Sequence, residues 1–246
     1  MTALLRAELL KLRTTRTFVA LVGSAVVLSL VVVVLTGLLT KRFDDESTRS
    51  LFSFDFTGLF ILLLGVIGMA GEWRHRTITG TVLAAPNRLR LLSAKMLSYA
   101  AAGALLSLIV QLAMFLVGTV ILSARGFDTA SLSTLADVLW RNLAVAALVG
   151  ALGVGIGAIV RNQIVAIVGI LLIALIFEPL LYNLAVDVGR FAPTAGAPGG
   201  VTDINPMGEY KDPDLLGPGA AVLVMLGWIA VFFAAAGARL RRGDLV

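Results

Sequence analysis

The sequence has no cysteine and a single histidine, His75. Disulfide frameworks, thiolate metal sites and Cys nucleophiles are therefore excluded, and little is left for a His-based metal site or a Ser-His-Asp triad. Charge is scarce too: Asp, Glu, Lys and Arg make up 14% of the 246 residues, against about 25% in soluble domains. No G-x-x-x-x-G-K-[ST] phosphate loop occurs, so the chain cannot by itself grip ATP in the usual way. H-E-x-x-H and G-x-S-x-G are absent as well, which leaves an intramembrane protease or acyltransferase without a recognisable catalytic set.

What fills the chain is apolar: 59% hydrophobic residues and a mean hydropathy of +0.97. One water-facing domain of this length could not bury that much. The composition predicts an all-α integral membrane protein, because an isolated strand in lipid leaves its backbone unpaired. A helix crossing the bilayer needs about 20 mostly apolar residues. Six stretches qualify, at 18–39, 54–70, 96–122, 139–160, 164–186 and 220–238, all within a single transmembrane domain over 1–246. The first is too long and uniform for a signal-peptide core and reads as a retained anchor. The second is the shortest and carries Asp55 at its edge.

Orientation follows from Lys and Arg in the connections. Arg6, Lys11, Arg13 and Arg16 precede the first span; Arg74, Arg76, Arg88, Arg90 and Lys95 lie between the second and third. Arg161 sits at a tight turn, and Arg239, Arg241 and Arg242 close the chain. The opposite side holds fewer cations and gathers Asp187, Asp203, Glu209, Asp212 and Asp214. Both termini are expected in the cytoplasm, in a multi-pass protein of the cell membrane. The net charge of +5 is then explained by orientation, and nucleic acid is not expected as a partner.

Residues 1–16 (MTALLRAELLKLRTTR) read as a short interfacial helix, with Leu5, Leu9 and Leu12 on one face and Arg6 and Arg13 flanking it. Glu8 interrupts that stripe. An ordinary basic flank is the alternative. The connection at 71–95 (GEWRHRTITGTVLAAPNRLRLLSAK) is the most informative stretch. Glu72, Arg74, His75 and Arg76 mark the exit from the bilayer. Ile78, Val82 and Ala85 recur at i, i+4, i+7 on a helix of about two turns, which Pro86 ends. Arg88, Arg90 and Lys95 are placed where the third span begins, within reach of lipid phosphates. A short helix with a sharp stop suits insertion into a groove of another protein; a solvated loop of orienting charges is the plain alternative.

The order E-x-R-x-x-T (Glu72, Arg74, Thr77), a short helix, P-x-R (Pro86, Arg88) and then Lys95 opening the next span resembles the type-2 permease class of ABC exporters. Arg76 stands where members often have Gly. The resemblance runs the length of the chain, from the basic lead-in through six spans to a long outer segment before the last. It implies a cytoplasmic coupling helix docking on a separate ATPase subunit. Glu72, Arg74, Arg76, Thr77, Ile78, Val82, Pro86 and Arg88 would then serve that contact. It also implies no cofactor and no enzymatic activity on this chain, ATP and Mg being held by the partner, and a second permease subunit, identical or a close paralogue. For the Gly- and Pro-rich segment at 187–219 it implies extracellular short helices that dip back and cap the outer mouth; an exposed loop is the alternative.

Gly150, Gly153, Gly155 and Gly157 superficially suggest a dinucleotide loop, but inside a span small residues serve close helix packing, as do Gly65, Gly68 and Gly71, and Gly103 with Ser107. Glu178 precedes Pro179 in IFEPLLYN. A carboxylate at membrane depth is costly unless paired, protonated or facing water. It is read here as facing the substrate pathway, with Tyr182; solvation at the outer interface is the alternative. Gln111, Met114 and Phe115 of the third span are further pathway candidates, interhelical hydrogen bonding and plain packing being their alternatives. The expected function is a permease subunit of an ATP-driven exporter for a drug, antibiotic, lipid or other amphiphile. The rivals are a proton-coupled transporter using Glu178 and a non-transporting scaffold or immunity protein.

Overall fold

The computed structural model describes residues 2–75, 77, 87–160, 162–210 and 212–242. Helix accounts for 81% of it and no strand is present among the described residues. Six helical segments are long and apolar enough to cross a membrane.

The chain begins with α1 (Thr2–Thr14) and turns at Thr15 into α2 (Arg16–Leu39), the first span. A short helix α3 (Asp45–Ser53) follows, where the hydropathy pattern predicts a connection. Its signal was present in DDES: the Asp44 carboxylate accepts from the Ser47 N–H at 2.8 Å while the Ser47 hydroxyl accepts from the Asp44 N–H at 2.9 Å. This reciprocal cap satisfies two donors that a helix start otherwise leaves open. After a break at Phe54–Phe56 the second span runs as α4 (Thr57–Arg74). The third, α5 (Arg88–Ala124), starts eight residues before the expected boundary, capped by the Asn87 side chain, which accepts from the Arg90 N–H at 3.1 Å.

The fourth span, α6 (Leu132–Ile159), is the most deeply buried of the six and packs on α4, α5 and the last helix. Its small residues explain that central place. A Cβ on Gly150 would lie 2.6 Å from the Tyr99 carbonyl oxygen of α5, and one on Gly65 of α4 would lie 2.8 Å from the Gly150 oxygen. Three backbones therefore meet around one residue, closer than any side chain permits.

The fifth span is interrupted. It runs as α7 (Gln163–Leu172), a π turn (Ile173–Phe177) and α8 (Glu178–Leu184). Pro179 accounts for this: its ring collides with the carbonyl four residues back, at Leu175, and it offers no N–H. The wider π turn around Leu175 accommodates both. Beyond it come α9 (Val186–Gly189) and α10 (Gly196–Thr202), then the final span α11 (Pro218–Arg242). Residues 196–201 are all buried, and α10 packs against α6 and α11. Large apolar side chains of α2, α7 and α11, among them Val27, Leu35, Val168 and Leu223, face outward, as lipid contact requires.

Candidate functional site

At the end of the bundle that carries α1, four charged side chains from three elements meet. Lys95 of α5 donates to Glu8 of α1 at 2.5 Å and to Glu72 of α4 at 2.9 Å. Lys11 of α1 donates to the same two carboxylates, each at 3.0 Å. Lys95 is 1% exposed, Glu8 4% and Glu72 8%, so one cation and two carboxylates lie in the interior, with the half-exposed Lys11 closing the network from outside. Lys95 is thus not directed at lipid phosphates, as its position suggested. Once out of water the ammonium needs anionic partners at hydrogen-bond distance, and the two carboxylates supply them. Nor is Glu8 a mere flaw in an apolar stripe: it is the residue by which α1 is fastened, beside Leu12, to the core.

Burial pushes the Glu8 carboxyl up, but the Lys95 and Lys11 ammonium groups outweigh this and hold it below the usual range. Lys11 is shifted up, since Glu72 and Glu8 more than offset its burial. The cluster sits at the two roots of the 71–95 connection. Glu72 lies in the last turns of α4, where its backbone carbonyl also accepts from the Thr77 N–H at 3.0 Å, and Lys95 lies two turns into α5. Arg74, also at the exit, donates to Gln163 of α7 at 3.5 Å, and Arg88 opens α5 half-buried. Of the residues expected to serve the connection, Arg76, Ile78, Val82 and Pro86 lie outside the described residues.

The far end of the bundle is tied by a second polar framework. Arg141 of α6 bonds Asp137 and Asp203, both at 2.9 Å, and the Val201 carbonyl, also at 2.9 Å. Arg49 of α3 pairs with Asp137 as well. Glu178 is 4% exposed. Its carboxylate accepts from the Thr194 N–H at 2.9 Å and the Ala195 N–H at 2.6 Å, just ahead of α10. Tyr182 donates to Asp212 at 2.8 Å, and Trp228 of α11 to the Phe191 carbonyl at 2.8 Å. The segment after the fifth span is thereby pinned at several points.

Next to this framework lies a cavity of about 250 Å³, walled by the α3–α4 break, α6, the π turn and α10. None of Gln111, Met114, Phe115, Glu178 and Tyr182 lines it. Gln111 is fully buried, Met114 is buried in a cluster with Phe52 and Val110, and Phe115 meets Phe52 edge-on with ring centroids 5.3 Å apart. Two of the five nonetheless set its walls from behind. Gln111 donates to Asp55 at 2.9 Å, and Glu178 holds Thr194 and Ala195; Asp55, Thr194 and Ala195 all face the cavity. Asp55 is the residue that sequence reasoning passed over. Its signal was a carboxylate at the mouth of an otherwise uncharged span.

Removing the Glu178 anchor has a local readout. Glu178→Ala is expected to raise amide hydrogen exchange at Thr194 and Ala195 several-fold, because two part-buried donors lose their charged acceptor at a cost of about 1 kcal/mol or more. Glu178→Gln, which keeps one carbonyl oxygen in place, is expected to shift the same amides far less. Equal exchange in both variants would remove Glu178 from this role.

Comparison with curated proteins finds no match for the chain. The sequence pattern described as ABC-2 family transporter protein matches residues 4–178. That interval takes in α1, the charged roots of the 71–95 connection, the first four spans and the fifth as far as Glu178. Matched over well over half of its length, this six-span, multi-pass chain belongs to the ABC-2 family transporter proteins and is a permease of the ABC-2 type.

Proposed function

We propose that the chain is the membrane subunit of an ATP-driven exporter, working as a pair with an identical or closely related subunit above two cytoplasmic ATPase subunits. The α1 end faces the cytoplasm, with both termini, and the α10 end faces outward. ATP and Mg belong to the ATPase partner; this chain supplies the pathway and the lever. Residues 77–85 dock on the ATPase, with Arg74, Arg76 and Arg88 beside the contact.

The observation that carries this reading is the Glu8–Lys11–Glu72–Lys95 cluster. It clamps both ends of the connection and joins them to α1, so force on the connection reaches α4, α5 and α1 together. A loosely tethered loop would absorb a push from the ATPase; one gripped at both roots passes it to the spans. The cargo class expected is an amphiphile such as a drug, antibiotic or lipid, drawn from a greasy cleft between subunits and released outward.

The test is deletion of residues 77–85 in the chain co-purified with its companion ATPase. Substrate-stimulated ATP hydrolysis is expected to fall to the basal level of the isolated ATPase, with the spans still folded. Hydrolysis and stimulation equal to the intact complex would end the proposal that coupling runs through this connection.

A further inference from the structure

Resting on the pathway reading, we propose that the cavity between the α3–α4 break, α6, the π turn and α10 binds an amphiphile by its methylated or quaternary ammonium head, with Asp55 as counter-charge and Phe54 and Phe56 as aromatic walls.

Three features of the cavity point the same way. Its lining is mostly apolar, with Leu59, Leu62, Val145, Val149, Ala174 and Leu175 facing the space, which suits a hydrocarbon tail. Among the described residues no Lys or Arg lines it. Among the described residues Asp55 accepts from the Thr57 N–H at 3.1 Å and Gln111 Nε2 at 2.9 Å, both neutral donors, and no cation pairs with it. A carboxylate so placed has its direction fixed but its charge uncompensated, and a ligand cation supplies what the protein withholds. Finally, the two aromatic rings beside it stand edge-to-face, 5.7 Å between centroids and 88° apart. A ring face within about 6 Å of a cation attracts it, and methylated ammonium, which gives up little hydration, gains most. A neutral amphiphile would gain the apolar contact alone. An anionic one would meet the carboxylate and be repelled.

The test compares benzyltrimethylammonium with neopentylbenzene, its uncharged isostere in which carbon replaces nitrogen. Binding to the full chain in nanodiscs is followed by calorimetric titration, with empty nanodiscs subtracted. The cation is expected to bind at least ten-fold tighter than the isostere. Asp55→Asn is expected to erase that margin, and Phe54→Leu combined with Phe56→Leu to reduce it several-fold. Equal affinity for the two probes overturns the proposal, and is the result expected if Asp55 instead carries a proton. So does undiminished cation binding by Asp55→Asn, or no saturable binding at all. Should Asp55→Asn fail to fold, the isostere comparison on the unaltered chain decides alone. No ATPase is present in this experiment, so its failure is separable from failure of coupling through residues 77–85.

Discussion

Lys95→Met is expected to lower the stability of the solubilised chain by about 3–5 kcal/mol, the cost of stripping one partner from a buried ionic network. Glu8 and Glu72 would then share Lys11 alone, which is half-exposed. The size of the loss comes from what is left behind, not from the contact removed. The double variant Glu8→Gln, Lys95→Met takes out one charge of each sign and leaves the Lys11–Glu72 pair intact, so it is expected to recover much of the loss. Denaturant titration in micelles measures both. A Lys95→Met chain as stable as the original would mean that the cluster is not closed as described. The network also has a pH signature. Glu8 is held low, so its contribution is present above the unfolded carboxyl value of about 4.3 and is lost as pH falls through the lowered folded value. Lys11 is held high, so its contribution is lost only as pH rises through its raised folded value. The clamp therefore persists across neutral pH, losing the Glu8 part on the acid side and the Lys11 part on the alkaline side.

Gly150→Val is expected to cost about 3 kcal/mol or more, at the upper end of overpacking effects. The obstacle to a new side chain here is backbone: the Tyr99 carbonyl of α5 stands 2.6 Å from where the Cβ would be, and the Gly150 oxygen already crowds Gly65 of α4. A flexible side chain could rotate away, whereas a helix must shift as a body, and α6 touches too many neighbours to do so freely. Gly227 in α11 is the matched comparison, since nothing lies within 4 Å of a Cβ there. Gly227→Val, the same change with room for it, is expected to leave the unfolding midpoint unchanged or slightly raised, since glycine is the weaker helix former. Like behaviour of the two positions would count against the three-helix contact.

Much of the architecture was readable from residue order. Six apolar runs of bilayer length admit only helices, and the glycines of 150–157 correctly placed the fourth span at close crossings. Boundaries erred where polar residues continue a helix beyond the lipid. The third span reaches back to Arg88 because Asn87 caps it, and α3 forms because Asp44 and Ser47 cap each other. The charged cluster was not readable as a cluster. Glu8 and Lys95 are 87 positions apart, and no local pattern records a pairing made through space. What the order of residues did hold was each anomaly separately: a carboxylate in the apolar stripe of α1, and a lysine at the opening of the third span. Glu178 illustrates the same limit. Its cost at depth was legible, but the N–H groups of Thr194 and Ala195 that meet it come from the far side of α9. Asp55 was visible as a charge and not as a cavity wall, because the wall is completed by α6 and α10.

The span between Glu8 and Lys95 sets a sequence of events during synthesis. α1 is made before α5, so its carboxylate has no lysine of α5 to meet until the third span has emerged from the ribosome. Until then Lys11, three residues on in the same helix, is the cation within its reach. α1 therefore precedes the first span in the chain yet can take its final place only after the third is made.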